Sequence, residues 1–213
     1  MEADFWLQKW EKNETAFHQS AANQFLVKHF DALKLQPGAR VFVPLCGKTL
    51  DIAWLLTKGY QVAGAELSQL AIDQLFENLG AKPSIKKIGK LLHYSAPSVD
   101  IFVGDIFELT AETLGTVDAI YDRAALVALP AGMRDRYASH LLTITNSAPQ
   151  LTICYVYDQS RQAGPPFSVT NEEVLRLYST NYLASLLEVA DVPGGLKGIC
   201  PATENIWLLC LPD

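Results

Sequence analysis

Short apolar runs alternate with longer amphipathic segments over most of the chain after residue 40. A buried parallel strand reads as a continuous apolar run, whereas apolar positions three and four residues apart indicate a helix. The pattern predicts seven strands, at residues 41–45, 61–66, 99–103, 117–121, 150–157, 183–189 and 204–211. It predicts helices at residues 49–58, 68–79, 130–143 and 171–180, the second capped by Ser68. Residues 82–99, with Pro83, Gly89 and Pro97, are interpreted as an insertion or hairpin.

This order of elements indicates a single α/β domain over residues 1–213. Helices between strands favour parallel pairing through right-handed crossovers, but a loop rich in Pro and Gly joins the last two strands. We therefore expect a doubly wound, seven-stranded, mostly parallel sheet with an antiparallel final strand, a Rossmann-like core over residues 36–213. Such sheets bind ligands at the carboxyl ends of their strands. Residues 1–35 predict two amphipathic helices, an N-terminal helical lid whose segment from Phe5 to Gln19 orders on ligand binding.

Charge and composition narrow the class of partner. The formal net charge is −6 and the pI is about 5.2, which argues against a nucleic-acid surface. No apolar run reaches the roughly 18 residues that span a bilayer, and the acidic start differs from a secretory signal, so we expect a cytoplasmic protein. The four cysteines and four histidines lack metal-ligand spacing, and we assign no metal. We expect a monomer that acts on small molecules.

The segments 41–51 and 62–68 read as strand, turn, helix, strand and acidic residue, which is half of a nucleotide site. Glu66 ends the second strand, where a carboxylate can accept hydrogen bonds from both hydroxyls of a ribose. The turn at Leu45-Cys46-Gly47 lacks the repeated glycines that hold a pyrophosphate. An adenosine without phosphates is therefore favoured over NAD, FAD or ATP. The alternative is a doubly wound domain with an acidic residue at a strand end and no nucleoside.

Four blocks of sequence together resemble a known family: the aromatic N-terminal block from Phe5 to Gln19, Val43-Pro44-Leu45-Cys46-Gly47-Lys48, the block from Tyr121 to Pro130, and Gly164-Pro165-Pro166-Phe167. In this order they resemble bacterial thiopurine S-methyltransferase, from about Phe5 to the last strand. The resemblance implies a class I S-adenosylmethionine-dependent methyltransferase. It agrees with the strand count and with a phosphate-free adenosine.

The resemblance implies cofactor contacts at Trp10, Leu45, Glu66, Asp105, Ile106 and Arg123. The ring face of Trp10 would suit the sulfonium end of S-adenosylmethionine, although simple core packing is the alternative. Leu45 would contribute its backbone. Asp105 lies beside the adenine in this interpretation, but it could instead cap the segment that follows it.

The resemblance places the acceptor near Phe17, an aromatic wall, and near Pro166 and Phe167, whose loop forms the rim of the site or merely connects elements. Arg123 would also face the acceptor and stabilise a thiolate, or it would pair with Asp122 as a structural ion pair. An aromatic thiol is acidic enough to ionise near neutral pH. We therefore assign no catalytic base, although Asp122 and His18 are candidates for one. Asp122 and Arg123 are the candidate catalytic residues.

The acceptor itself is open on sequence grounds. The resemblance implies methyl transfer to the sulfur of thiopurines and related aromatic thiols, and bacterial relatives are associated with selenium and tellurium methylation and with tellurite resistance. Residues 191–198 lack an arginine that eukaryotic relatives place near the acceptor. Two other hypotheses are a nicotinamide-dependent dehydrogenase, which the missing G-x-G-x-x-G disfavours, and a non-catalytic protein that binds an adenosine ligand.

Overall fold

A nine-stranded mixed sheet runs through the computed structural model of the protein, which describes residues 3–15 and 18–212. The strands are β1 Arg40–Pro44, β2 Gln61–Glu66, β3 Ser84–Ile88, β4 Leu91–Ala96, β5 Val99–Val103, β6 Ala119–Arg123, β7 Gln150–Tyr157, β8 Leu183–Asp191 and β9 Ala202–Cys210. They lie in the order β3-β4-β5-β2-β1-β6-β7-β9-β8. The five strands from β5 to β7 pair in parallel, which places their carboxyl ends at one edge of the sheet.

The predicted count of seven strands is wrong, because residues 82–99 form a hairpin that joins the sheet. Its second strand, β4, pairs antiparallel with β5 and buries Leu91 and Tyr94. Its first strand, β3, is exposed along its whole length, so its sequence carries no apolar run for a pattern to find. The expected antiparallel final strand is confirmed, because β9 pairs antiparallel with both β7 and β8.

The helices are α1 Ala3–Glu11, α2 Gln24–His29, α3 Leu50–Thr57, α4 Gln69–Asn78, α5 Ala111–Leu114, α6 Ala131–Ile144 and α7 Asn171–Tyr178. Short 3-10 turns cover Phe30–Leu33, Ile106–Glu108 and Leu126–Ala128. Ser68 caps α4 as predicted, since its hydroxyl accepts the Ala71 N–H at 3.3 Å. Thr49 caps α3 in the same way.

Apolar side chains cover both faces of the sheet, which confirms the doubly wound α/β architecture. On one face Phe42 and Phe102 pack with Tyr137 of α6, and on the other Val41 and Ile52 pack with Leu26 of α2. Each fully buried side chain of this size contributes roughly 1.5–3 kcal/mol by leaving water. Because α2 is part of this core, the predicted N-terminal cover is continuous with the sheet. The division at residue 35 and the closing of a lid stay predictions.

Candidate functional site

A cavity of about 1160 Å³ opens at the carboxyl ends of β1, β2, β5 and β6. Sites for one small ligand usually measure about 300–1000 Å³, so this cavity has room for two ligands. Side chains of α1 cover one side of it, and the loops over residues 164–166 and 192–197 border it elsewhere. This is the position at which open α/β sheets bind ligands, and it brings together most of the site residues expected from the sequence.

Glu66 lies at the end of β2 with 6% of its surface exposed. One carboxylate oxygen, Oε2, accepts the Gly47 N–H at 2.8 Å, and the other, Oε1, accepts the Ser68 N–H at 2.8 Å. Burial raises the pKa of the Glu66 carboxyl, and these backbone N–H groups partly offset that rise. The Leu67 N–H also acts on this carboxylate, and a carboxylate has about four lone pairs, so acceptor capacity remains for a further donor. A ribose hydroxyl matches this remaining capacity.

The turn after β1 brings the backbone close to Trp10. Gly47 has φ +52°, and a Cβ atom there would lie 2.9 Å from Cζ2 of Trp10. Leu45 also has a positive φ, +46°, a conformation that costs a residue with a side chain on the order of 1–2 kcal/mol. Trp10 is 5% exposed, and it both borders the cavity and packs on the turn. Its two interpretations, core packing and ligand contact, are therefore compatible.

Asp105 and Ile106 follow β5 and border the same cavity. Asp105 caps the 3-10 turn Ile106–Glu108, since its Oδ1 accepts the Phe107 N–H at 3.0 Å. The carbonyl of Ile106 accepts a hydrogen bond from Nε2 of His140 at 2.8 Å, which fixes this turn to α6. Asp105 therefore caps this turn, and it also borders the cavity.

Asp122 and Arg123 both belong to β6, which ends two residues later than predicted. Adjacent residues of a strand face opposite sides of the sheet, so the two side chains diverge. Asp122 is fully buried, where its Oδ2 accepts the hydroxyl of Tyr137 at 2.7 Å and its Oδ1 accepts the Leu126 N–H at 3.1 Å. Burial raises the pKa of Asp122 to about 6. Arg123 borders the cavity and Asp122 does not.

Tyr155 and Glu204 lie beside Arg123, and sequence reasoning did not select them. Tyr155 of β7 pairs directly with Glu204 of β9, and Arg123 pairs with Ile153, two residues before Tyr155. Burial, followed by the negative charge of Glu204, raises the pKa of Tyr155 to about 12. Glu204 is the one acidic residue of an otherwise largely apolar strand, which is the signal that could have identified it.

His18 borders the cavity and is half-buried. Burial lowers the pKa of its imidazole, and the positive charges of Lys48 and Arg123 lower it further. A neutral imidazole is therefore favoured at neutral pH, and it can accept a proton. Phe17, the expected aromatic wall, lies outside the described residues.

The loop with Pro165 and Pro166 borders the cavity, as expected of a rim. The carbonyl of Pro166 accepts the Tyr157 hydroxyl at 2.7 Å, and the carbonyl of Pro165 accepts Nζ of Lys197 at 2.8 Å. Phe167 differs from expectation, because it does not border the cavity.

The ring of Phe167 instead packs against Gly164, where a Cβ atom would lie 2.5 Å from it. The guanidinium of Arg134 lies 5.8 Å from the ring centroid, and the Phe167 N–H donates to the Val127 carbonyl at 2.7 Å. Phe167 therefore anchors the rim from behind.

Within residues 3–15 and 18–212, no group of three or more His, Cys, Asp or Glu side chains is arranged to hold a metal ion. In the same part of the chain, none of the helices is both long and apolar enough to cross a membrane.

Sequence comparison gives matches over nearly the whole chain. The model of the family described as Thiopurine S-methyltransferase (TPMT) matches residues 1–201. A thiopurine S-methyltransferase of Xanthobacter autotrophicus is 58% identical over 98% of this chain and 99% of the relative. Another, of Gluconobacter oxydans, is 49% identical over 96% of this chain and 93% of the relative.

Structure comparison gives more distant matches with the same fold. The 1,6-didemethyltoxoflavin-N1-methyltransferase of Burkholderia thailandensis, solved with 1,6-didemethyltoxoflavin and S-adenosylhomocysteine, has a TM-score of 0.66 at 14% identity. That match covers 98% of this chain and 87% of the other. An S-adenosylmethionine-dependent methyltransferase of Methanosarcina mazei has a TM-score of 0.65 at 14% identity, covering 91% and 100% of the two chains. The sheet is therefore of the kind found in such methyltransferases.

Proposed function

The chain belongs to the thiopurine S-methyltransferase family and is thus an S-adenosylmethionine-dependent methyltransferase, and we propose that it methylates the sulfur of thiopurines and related aromatic thiols. The observation that carries the proposal is the cavity that joins Glu66 to Arg123. Glu66 offers a carboxylate held by backbone N–H groups at one end, and Arg123 offers a cation at the other. The alternatives of a nicotinamide-dependent dehydrogenase and of a non-catalytic binder do not agree with this family.

The residues at the end of β2 fit S-adenosylmethionine. Backbone donors already hold the Glu66 carboxylate, so it is oriented for ribose hydroxyls before a ligand arrives. The cavity borders Gly47 and Gly104, and both have positive φ angles that side chains rarely adopt. Asp105 and Ile106 would lie beside the adenine, and Trp10 beside the sulfonium. When bound, the cofactor supplies an activated methyl group on a positively charged sulfur.

The chain's own residues would act mainly by positioning, which can contribute several kcal/mol to a reaction between two bound groups. Arg123 stabilises the negative charge of a thiolate acceptor. Pro165 and Pro166 limit the acceptor's orientations, since proline rings are rigid. A thiol that is still protonated can transfer its proton to neutral His18, although an acidic aromatic thiol does not need this step.

A methyl-transfer assay with purified protein tests the proposal. We expect turnover with 6-mercaptopurine and with substituted thiophenols, measured as formation of S-adenosylhomocysteine. Selenite and tellurite form a second arm, which tests whether the acceptor range extends to selenium and tellurium. Tight binding of S-adenosylhomocysteine without turnover of any thiol would refute thiol methylation and leave the acceptor class to be found elsewhere.

A further inference from the structure

Three polar side chains, Arg123, Tyr155 and Glu204, meet across three neighbouring strands at the end of the cavity away from Glu66. From β2 to β7 the sheet order passes through β1 and β6, which is three strand spacings or about 14 Å. Arg123 and Tyr155 border the cavity, whereas Glu204 does not. Arg123, on β6, is two spacings or about 10 Å from β2, so this end is separate from the Glu66 carboxylate, and in the proposed function it faces the acceptor.

The strand register arranges the three side chains so that they can form a relay of hydrogen bonds. Tyr155 and Glu204 are directly opposite each other in the antiparallel pair of β7 and β9, where Cβ atoms lie about 4.5–5.5 Å apart. The charges of both Glu204 and Arg123 act on the Tyr155 hydroxyl, which can donate a hydrogen bond to the carboxylate and accept one from the guanidinium. Burial raises the pKa of Glu204, and the charge of Arg123 and the bond from Tyr155 lower it in part. Glu204 is therefore a partly buried acid, and the two side chains that lower its pKa are Arg123 and Tyr155.

A relay of this kind restricts where Arg123 can point. A guanidinium carries five N–H donors in one plane, so fixing one of them to Tyr155 fixes the plane and the directions of the others. Glu204 stands behind Tyr155 and keeps its hydroxyl hydrogen turned away from Arg123, which leaves the tyrosine oxygen free to accept. Without Glu204 the hydroxyl could rotate, and Arg123 would sample more orientations.

We propose that Tyr155 and Glu204 are positioning residues that hold the Arg123 guanidinium toward the sulfur of the acceptor. This proposal rests on the proposed thiol methylation and adds two residues to it. Neither residue contacts the reacting atoms in this scheme, since Glu204 acts through Tyr155 and Tyr155 acts through Arg123.

A double-mutant cycle with Tyr155→Phe and Glu204→Ala tests the relay. For 6-mercaptopurine we expect each single variant to lower kcat/KM about tenfold, roughly the worth of one charge-assisted hydrogen bond. The double variant should lose no more than either single variant, because each change already breaks the same relay. Glu204→Gln, which keeps an acceptor oxygen for Tyr155, should recover part of the loss. Additive losses, or unchanged kcat/KM in the single variants, would overturn the proposal.

Binding of the cofactor product separates positioning of the acceptor from a general structural role. Because Arg123 is also an expected cofactor contact, the dissociation constant of S-adenosylhomocysteine can rise slightly in Tyr155→Phe and Glu204→Ala, but by less than kcat/KM falls, and an equal tenfold loss there would overturn the assignment. Tyr178→Phe and Glu188→Gln are matched controls, because Tyr178 lies in the core and Glu188 pairs with Lys28 and His29 at the surface. Both controls should keep wild-type kinetics.

A second measurement does not depend on turnover. In nitrogen-15 NMR spectra the guanidinium signals of Arg123, assigned by their loss in Arg123→Lys, should show slow rotation in the wild type. Their rotation should be measurably faster in Tyr155→Phe and in Glu204→Ala than in the wild type. Unchanged signals would overturn the relay even if every thiol were methylated. Conversely, failure of the wild type to methylate any thiol would refute the proposed function, while the NMR result would still decide whether the relay holds Arg123.

Discussion

Replacement of Glu66 by Gln changes the two acceptor oxygens at the end of β2 into one oxygen and one NH₂ group. In the structure these oxygens accept N–H groups of Gly47 and Ser68, each at 2.8 Å. The amide can satisfy only one of these donors, and one ribose hydroxyl loses its acceptor. A hydrogen bond to a charged group contributes roughly 1.5–3 kcal/mol, so the affinity for S-adenosylhomocysteine should fall by about 10- to 150-fold.

The fold of Glu66→Gln should survive, because two effects on stability oppose each other. One backbone donor loses its partner, which costs about 1–3 kcal/mol. The neutral amide, however, removes the cost of burying a charge, which is the cause of the raised pKa of Glu66. Titration calorimetry with S-adenosylhomocysteine measures the affinity, and thermal unfolding checks the fold. Glu77→Gln, which removes an exposed carboxylate on α4, is the matched control and should bind like the wild type.

The pH dependence of S-adenosylhomocysteine binding is a second test of the role of Glu66. A protonated Glu66 carboxyl loses acceptor capacity, so wild-type affinity should fall as the pH drops through its raised pKa. Glu66→Gln should lack this part of the dependence. An intact Glu66→Gln variant with wild-type affinity and a wild-type pH profile would refute the assignment of the ribose to Glu66.

Substitutions at Asp122, Gly47 and Arg123 should each have a measurable effect. The folded pKa of Asp122, about 6, lies above its ordinary 3.8, so the contribution of Asp122 to stability should fall by up to about 3 kcal/mol as the pH rises from about 4 to 6. Urea unfolding should show that Asp122→Asn lacks this part of the pH dependence. Gly47→Ala would place a Cβ atom 2.9 Å from Trp10 at φ +52°, so it should lower the melting temperature and weaken S-adenosylhomocysteine binding measured by tryptophan fluorescence. Arg123→Lys keeps the charge and loses the planar fork, so steady-state kinetics should show at least a tenfold lower kcat/KM for aromatic thiols, and wild-type values would refute a directional role.

The central part of the fold could be predicted because its strands are buried on both faces. β1 and β2 are apolar almost throughout, and their ends place Leu45 and Glu66 correctly at the cavity. The edge hairpin could not be predicted, because β3 carries exposed side chains over its whole length. Its pairing depends on contacts between β4 and β5 rather than on local sequence.

The two-residue error in the predicted end of β6 affected the predicted site more than the predicted fold. A strand ending at residue 121 places Asp122 and Arg123 in a loop, where both could reach a ligand. In the structure both belong to β6, and the alternation of the strand directs one side chain to the core and the other to the cavity. Tyr155 and Glu204 were missed for a related reason, since their meeting depends on the register of β7 against β9, which are separated by β8 in sequence.

Backbone groups hold the Glu66 end of the cavity, whereas side chains hold the Arg123 end. This difference affects how members of the family could differ in their acceptors. At the Glu66 end the carboxylate is held by backbone N–H groups, which substitution of neighbouring side chains leaves in place. At the other end the proposed relay makes Arg123 depend on Tyr155 and Glu204, and a hydrogen bond from Lys197 to the Pro165 carbonyl holds the rim. Single substitutions can therefore reshape the acceptor end while the ribose site persists. On the proposed assignment, one scaffold can keep S-adenosylmethionine and still change the thiol that it methylates.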